Sequence, residues 1–180
     1  MKKILTYLIS GLFFLLVMEF MFQVQILNNF VGFLMTPIIE IPFLLFAYFS
    51  SKLIDRLTEK SRFKEIAIYI IYGLIGLFFI EWLYAGNSPM QNPDANQFIM
   101  FSYWGGAVIF SRIFIDKDKT VKNIKKWILK YFIIYSTIAI FLGFLIPAQE
   151  RLGLIVLIAI AGYGFMNIFY IWYFAKKFLP

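Results

Sequence analysis

Thr36-Pro37-Ile38-Ile39-Glu40-Ile41-Pro42 sets one carboxylate between two prolines, inside an apolar run over residues 31–51. A run of that length matches the ~20 residues a helix needs to cross the hydrocarbon core. Each proline removes a backbone donor and crowds the carbonyl one turn back, so a helix here is predicted to kink or loosen. Freed carbonyls would then sit beside Glu40. In a bilayer that combination is tolerated only where it faces protein or a watery cavity, which makes an intramembrane Glu beside a break a functional-site candidate. Against it stands the plainer reading of a proline-kinked packing helix whose neutral Glu hydrogen-bonds a neighbour.

Composition settles the class. Apolar residues make up 62% of the 180-residue chain and charged residues only 15%, whereas a soluble domain is roughly half apolar. The chain has no cysteine, which excludes a disulfide framework, a thiol nucleophile and a thiolate metal site. It has no histidine either, so the commonest general base and the commonest metal ligand are missing. Any chemistry runs on carboxylates, tyrosines, lysines or backbone groups. With no metal-ligand cluster and no Gly-rich phosphate loop, no cofactor is expected.

Apolar runs recur at about 4–22, 31–51, 66–84, 98–115, 127–146 and 152–175. The expected fold is therefore an all-α integral membrane protein, a single polytopic domain built as a six-transmembrane-helix bundle. Fourteen of the seventeen basic residues fall before the first run, between the second and third, between the fourth and fifth, or after the sixth, and Arg112 and Lys130 lie at the adjoining ends of the fourth and fifth runs; Arg151 alone falls elsewhere. By the positive-inside rule this puts both termini in the cytoplasm, as expected of a multi-pass protein of the cytoplasmic (inner) membrane. The net charge of +7 then reads as topology determinants and contacts with anionic membrane lipids, with no nucleic acid as partner. Met1-Lys2-Lys3 before an apolar run imitates a signal peptide, but the run continues through Val17-Met18-Glu19-Phe20 without a small-residue cleavage pattern, which predicts a retained helix.

With this topology the acids gather in the outer half. Glu19 lies about one turn below the outer interface, and Gln23 follows at i+4 on the same face. Glu40 lies roughly nine residues, or ~13 Å, below the outer surface, with Thr36 one turn above it. Glu81 ends the third span beside Trp82 and Tyr84, which fit an interfacial aromatic belt. The external segment 85–97 has no basic residue and includes Asn92-Pro93-Asp94, a turn and helix-start signal. It reads equally as a lid or as a plain hairpin. The candidate substrate-binding set is Glu40, Glu19, Glu81, Thr36, Gln23, Trp82 and Asp94, with Glu150 and Arg151 near the rim.

Other polar and small residues read as architecture. Gly73 and Gly76, the Ser102 to Gly106 pair, and Ala159, Ala161, Gly162 and Gly164 are close-packing surfaces, and Asn167 ties helices together. Residues 50–65 read as a largely helical interfacial ledge in which Asp55 and Glu59 offset nearby cations. Thr120 is a helix-cap candidate.

Clustering and desolvation both favour the protonated carboxyl, which leaves three roles: a cation site, a proton-coupling site, or an acid catalyst. The leading expectation is a membrane solute-binding or transport component with an outward-facing acidic pocket for a small-molecule ligand. The six-span, cytoplasmic-ended architecture resembles the substrate-binding subunits of energy-coupling-factor vitamin transporters. The resemblance covers the whole chain at the level of topology and implies an outward-facing site and a membrane protein partner. Those subunits dock through an Ala-x-x-x-Ala surface on the first helix, where this chain offers Ser10-Gly11, so no residue is carried over. The alternative is a membrane-embedded enzyme acting on an isoprenoid or other lipid. In its paired acids and aromatic content of 21% the chain is similar to small membrane terpene and carotenoid cyclases, since aromatic faces stabilise developing carbocations. A third reading is a non-catalytic accessory or immunity protein, which needs no cavity.

Overall fold

A computed structural model describes residues 2–59, 61–84, 86, 95–119, 121–147 and 150–178, with side chains described at all of these except 62, 84, 95–98, 152–161, 163–165 and 178. Among them, six helical rods and no strand occur. The first is α1 (Lys2–Glu19), continued by the π-helical stretch π1 (Phe20–Ile26); the second is α2 (Phe30–Met35) running into α3 (Pro37–Leu57). The third is α4 (Arg62–Ile75) continued by π2 (Gly76–Tyr84), and α5 (Ala95–Ile115), α6 (Lys122–Leu145) and α7 (Arg151–Phe178) complete the chain. Among the described residues, four helices are long and apolar enough to cross a membrane: Lys2–Ile26, Phe30–Leu57, Phe63–Leu83 and Lys122–Leu145. A shorter apolar helix covers Ile99–Ile115. Of the expected lid at 85–97, residues 85 and 87–94 with Asp94 lie outside the described residues, as does the Thr120 cap, and residues 95–97 open α5.

Local chemistry sets the ends of the rods. Between the first two, Asn28 adopts φ 50°, a left-handed conformation that asparagine tolerates better than most residues. Asn29 then caps α2 by accepting the Gly32 N–H at 2.8 Å. Ser61 caps α4 by accepting the Lys64 N–H. At the proline pair, where the helix is expected to kink or loosen, it divides at Thr36 into α2 and α3. Pro37 takes the first position of α3, where its missing N–H is least costly. The Phe33 carbonyl that this N–H would have bound instead accepts from the Thr36 hydroxyl at 2.9 Å and the Thr36 N–H at 3.3 Å. Thr36 stays in the right-handed helical region (φ −57°, ψ −37°), and Pro42 lies inside the helix. The freed carbonyl is thus answered within its own turn.

Helix α5 is the axis of the bundle. Residues 102–111 are buried without interruption, and α5 packs on α1, α3, α4, π2 and α7. Small residues permit this. A Cβ on Gly105 would lie 2.6 Å from the Tyr69 carbonyl oxygen, and one on Gly73 would lie 2.9 Å from that of Phe101, so α4 and α5 touch backbone to side-chain root. Ser102, expected to pair with Gly106 on one packing surface, accepts the Tyr69 hydroxyl at 3.2 Å. Gly106 faces Phe14 of α1, and its carbonyl accepts from Tyr170 of α7. Asn167 ties α7 to α4 through Tyr69. On the other side Phe14, Phe110 and Phe132 join α1, α5 and α6, with Phe14 stacked on Phe132 at 5.2 Å. The outer surface is as apolar as the core: Ile9, Ile38, Phe79, Phe141 and Ile171 are exposed, which suits a lipid surround.

The segment at 50–65, expected to be largely helical, is the end of one helix and the start of the next. Helix α3 runs on to Leu57, and Thr58 turns its hydroxyl back to the Ile54 carbonyl at 2.7 Å. Asp55 faces inward, where Arg112 of α5 and Lys64 of α4 both pair with it.

Candidate functional site

Three carboxylates from three rods meet at two adjacent aromatic residues of α5. Glu40, in the first turn of α3, is 1% exposed, and the Tyr103 hydroxyl donates to its Oε1 at 2.8 Å. The Trp104 indole N–H donates to Glu81 Oε1 at 2.9 Å. Glu19, the last residue of α1, lies beside Tyr103 and Gln23 and within electrostatic range of Glu81 and Glu40. Glu40 and Glu81 are thus each held by a donor, as burial requires. One oxygen of Glu40 and one of Glu19, both Oε2, are buried with no hydrogen-bond partner.

The helix geometry that brings them together is unusual at two of the three positions. Glu19 ends α1 where π1 begins, and Glu81 lies within π2. A π turn carries an extra residue and rotates whatever follows about the helix axis; such turns concentrate at functional sites. Gly76 opens π2 directly against the Trp104 side chain, where a Cβ would collide with the ring. Phe43 packs edge-on to the same indole at 4.6 Å, and Tyr103 packs edge-on to it at 4.9 Å. The donors are therefore fixed in place by packing.

The remaining expected site residues divide. Gln23 lies beside Glu19, and its side-chain oxygen accepts from the Asn29 amide nitrogen at 3.4 Å. Thr36 spends its hydroxyl on the Phe33 carbonyl, away from the acid. Trp82 packs on Phe78 at 5.9 Å, and the indole that binds an acid is that of Trp104. Asp94 lies outside the described residues. Arg151 donates to the carbonyls of Ile146 at 2.7 Å and Gln25 at 3.2 Å, clamping π1 to the end of α6. Gln25 strengthens that clamp by donating to the Ile140 carbonyl at 2.7 Å. Sequence reasoning missed Tyr103, Trp104 and Gln25. The signal was present: a Tyr hydroxyl or Trp N–H buried in an apolar helix needs a partner, and the nearest class of acceptor in this chain is its intramembrane acids.

A second polar centre closes the opposite end of the bundle. Arg112 forks to Glu65 (2.8 Å to each oxygen) and to Asp55 (3.0 and 3.1 Å), and Lys64 pairs with Asp55 at 3.0 Å. Below it Asp116 accepts from Lys177 at 2.7 Å and from the Tyr173 hydroxyl, and the Lys125 ammonium meets its backbone carbonyl. Except for Lys125, these groups line a cavity of about 350 Å³. Burial pushes the Asp116 carboxyl up, but Lys177, Tyr173 and the Asp118 N–H outweigh it and hold the group at about 2, against an ordinary 3.8. A depressed pKa stabilises the fold above the unfolded value and loses that contribution as pH falls through the folded one. Thermal melts in detergent are expected to weaken as pH falls from 3.8 toward about 2, and Asp116→Asn is expected to lose part of that acid sensitivity. Identical pH profiles for the two proteins would contradict the assignment.

A third feature is an apolar groove of about 320 Å³ between α1, α5 and α6, lined by Phe13, Phe110, Phe114 and Leu129 among others and by no carboxylate. Among the described residues no three acidic side chains are placed to hold one metal ion. Comparison of the chain with protein-family models, curated proteins and solved structures finds no match in any of the three.

Proposed function

We propose that this protein is a membrane solute-binding or transport component whose acidic site takes a small cationic solute from the outer side. The observation that carries the reading is the convergence of Glu19, Glu40 and Glu81 on Tyr103 and Trp104, with two buried carboxylate oxygens unpartnered. Holding several carboxylates in a desolvated place is costly, and it persists where a cation or protons repay it. The acids are too spread for a compact metal site, which favours a larger monovalent cation of the ammonium type. Neighbouring indole and phenol rings add the cation–π attraction such an ion finds at aromatic faces.

In the orientation that the basic residues favour, the rods cross the cytoplasmic membrane six times with both termini inside. Helix α5 has 21 residues and α7 has 28, long enough at 1.5 Å per residue to take part. The acid site then lies in the outer half and the Arg112 network at the cytoplasmic face. The lipid-enzyme alternative calls for an acid facing an apolar pocket, and the apolar groove has none among its lining residues.

The test is a mass-spectrometric screen of small molecules and lipids retained by the purified protein and by Glu40→Gln. A cationic small molecule is expected with the wild type and to fall at least about tenfold in the variant, the change that losing ~1.4 kcal/mol of a charge-assisted contact produces. Equal retention by both proteins, or a neutral lipid as the dominant retained species, would count against the cation reading.

A further inference from the structure

We propose that this protein holds one anionic phospholipid at the end of the bundle opposite the acid site, with an acyl chain in the groove between α1, α5 and α6 and the phosphate at Lys3 and Lys117. The groove of about 320 Å³ is lined by Ile9 and Phe13 of α1, Phe110 and Phe114 of α5 and Leu129 of α6. Ile9 and Phe13 are exposed, so the groove opens sideways to lipid. Two hydroxyls also line it, and each spends its proton on its own helix. Thr6 donates to the Lys2 carbonyl at 2.9 Å and Ser10 to the Thr6 carbonyl at 2.8 Å. With those donors turned back and no charged side chain among the described lining residues, the groove suits hydrocarbon.

An acyl chain gains little by leaving other chains for such a wall, since lipid tails are as apolar as leucine. Selection must come from the headgroup, and the walls of the groove lead to a place for one. On α1, Lys3 precedes Thr6 by three residues, on neighbouring positions of one helix face. On the other wall Lys117 follows Phe114 by three residues, just beyond the end of α5 at Ile115. Both lysines line the 350 Å³ cavity of the Arg112 network, so they face one space. The acids of that cavity are already engaged, Asp55 and Glu65 by Arg112 and Lys64, and Asp116 by Lys177. Lys3 and Lys117 are exposed and enter no ion pair among the described residues. The complement of two spare cations at the end of a lipid-facing apolar groove is an anion with an apolar tail, and basic pockets between membrane helices take lipid phosphates in this way. The site needs only that the rods lie in a bilayer, and it is independent of Glu19, Glu40 and Glu81.

Native mass spectrometry of the full-length protein in detergent, titrated with phosphatidylglycerol or with phosphatidylcholine of the same acyl chains, tests this. One phosphatidylglycerol per chain is expected to bind about 25-fold more tightly than phosphatidylcholine, about fivefold for each lysine. Lys3→Gln combined with Lys117→Gln is expected to abolish that preference. Lys52→Gln combined with Arg56→Gln removes the same charge from exposed positions of α3 outside the cavity and is expected to keep it. Ser10→Phe, which fills the groove, is expected to weaken both lipids by a similar factor and leave the preference intact. Melting temperatures show that each variant folds. Equal binding of the two lipids by the wild type, equal loss in both double variants, or undiminished binding in Ser10→Phe would each overturn the proposal. A lipid-free dimer that Ser10→Phe abolishes would place a second copy of the chain in the groove and overturn it as well. No cationic solute enters this measurement, so its failure is distinct from failure of the retention screen.

Discussion

Arg112→Ala is expected to destabilise the protein by about 3 kcal/mol, the low end of the cost of removing one partner from a buried ion pair. The Arg112 side chain is 11% exposed and that of Glu65 is 8% exposed, so deleting the guanidinium strands the Glu65 carboxylate where water cannot replace two bonds of 2.8 Å. Asp55 is 39% exposed and keeps Lys64, so its share is small. Three helices are joined at this point, Asp55 from α3, Glu65 from α4 and Arg112 from α5, and the loss is expected in unfolding of the detergent-solubilised protein. The double variant Arg112→Met with Glu65→Met should recover most of it, because a buried pair exchanged for apolar groups of similar volume is often neutral or better. If the single variant unfolds with the wild type, the network carries no folding energy and this end of the bundle is held by apolar packing alone.

Gly105→Ala is expected to cost about 2 kcal/mol, while Gly106→Ala changes stability by less than about 0.5 kcal/mol. Helix propensity favours both substitutions by roughly 1 kcal/mol, so the difference comes from packing. The added Cβ at Gly105 meets the Tyr69 carbonyl oxygen at 2.6 Å, a backbone atom that yields only if α4 and α5 separate. At Gly106 the nearest atom is the Phe14 ring edge at 3.3 Å, which gives way by a few tenths of an ångström. Separating α4 from α5 would also shift Gly76 from Trp104 and with it the indole that binds Glu81. Gly105→Ala should therefore impair the acid site as well as the fold. Melting temperatures of the two variants, compared in one detergent, decide the matter; equal melting would mean that the α4–α5 approach is looser than this contact implies.

Much of the acid site was legible as a set of residues and very little of it as an arrangement. Glu19, Glu40 and Glu81 stand out because a charge in an apolar run is rare and costly. The Thr36 hydroxyl has a use within its own helix: Pro37 strips the Phe33 carbonyl of its N–H partner, and the threonine one residue back supplies another. Trp82 drew attention by its place at the end of a span, yet the indole on the acid belongs to Trp104. Among the described residues, the Arg112 fork was hidden because Asp55 and Glu59 have cations close by in sequence, whereas Asp55 pairs with an arginine 57 residues away.

The order of apolar runs and charges by itself determined that this is an all-helical chain apolar enough for a bilayer, since the length and hydropathy of a run are properties of consecutive residues. Which side chains share a site was decided only by tertiary structure. Tyr103 reaches Glu40 across 63 residues and Trp104 reaches Glu81 across 23, so each contact depends on how each helix is turned about its own axis. One extra residue in a π turn changes that by about 100°. Apolar faces that are equally greasy all round leave the rotation open, and the close contacts at Gly73, Gly76 and Gly105, together with the donors of Tyr103 and Trp104, select it.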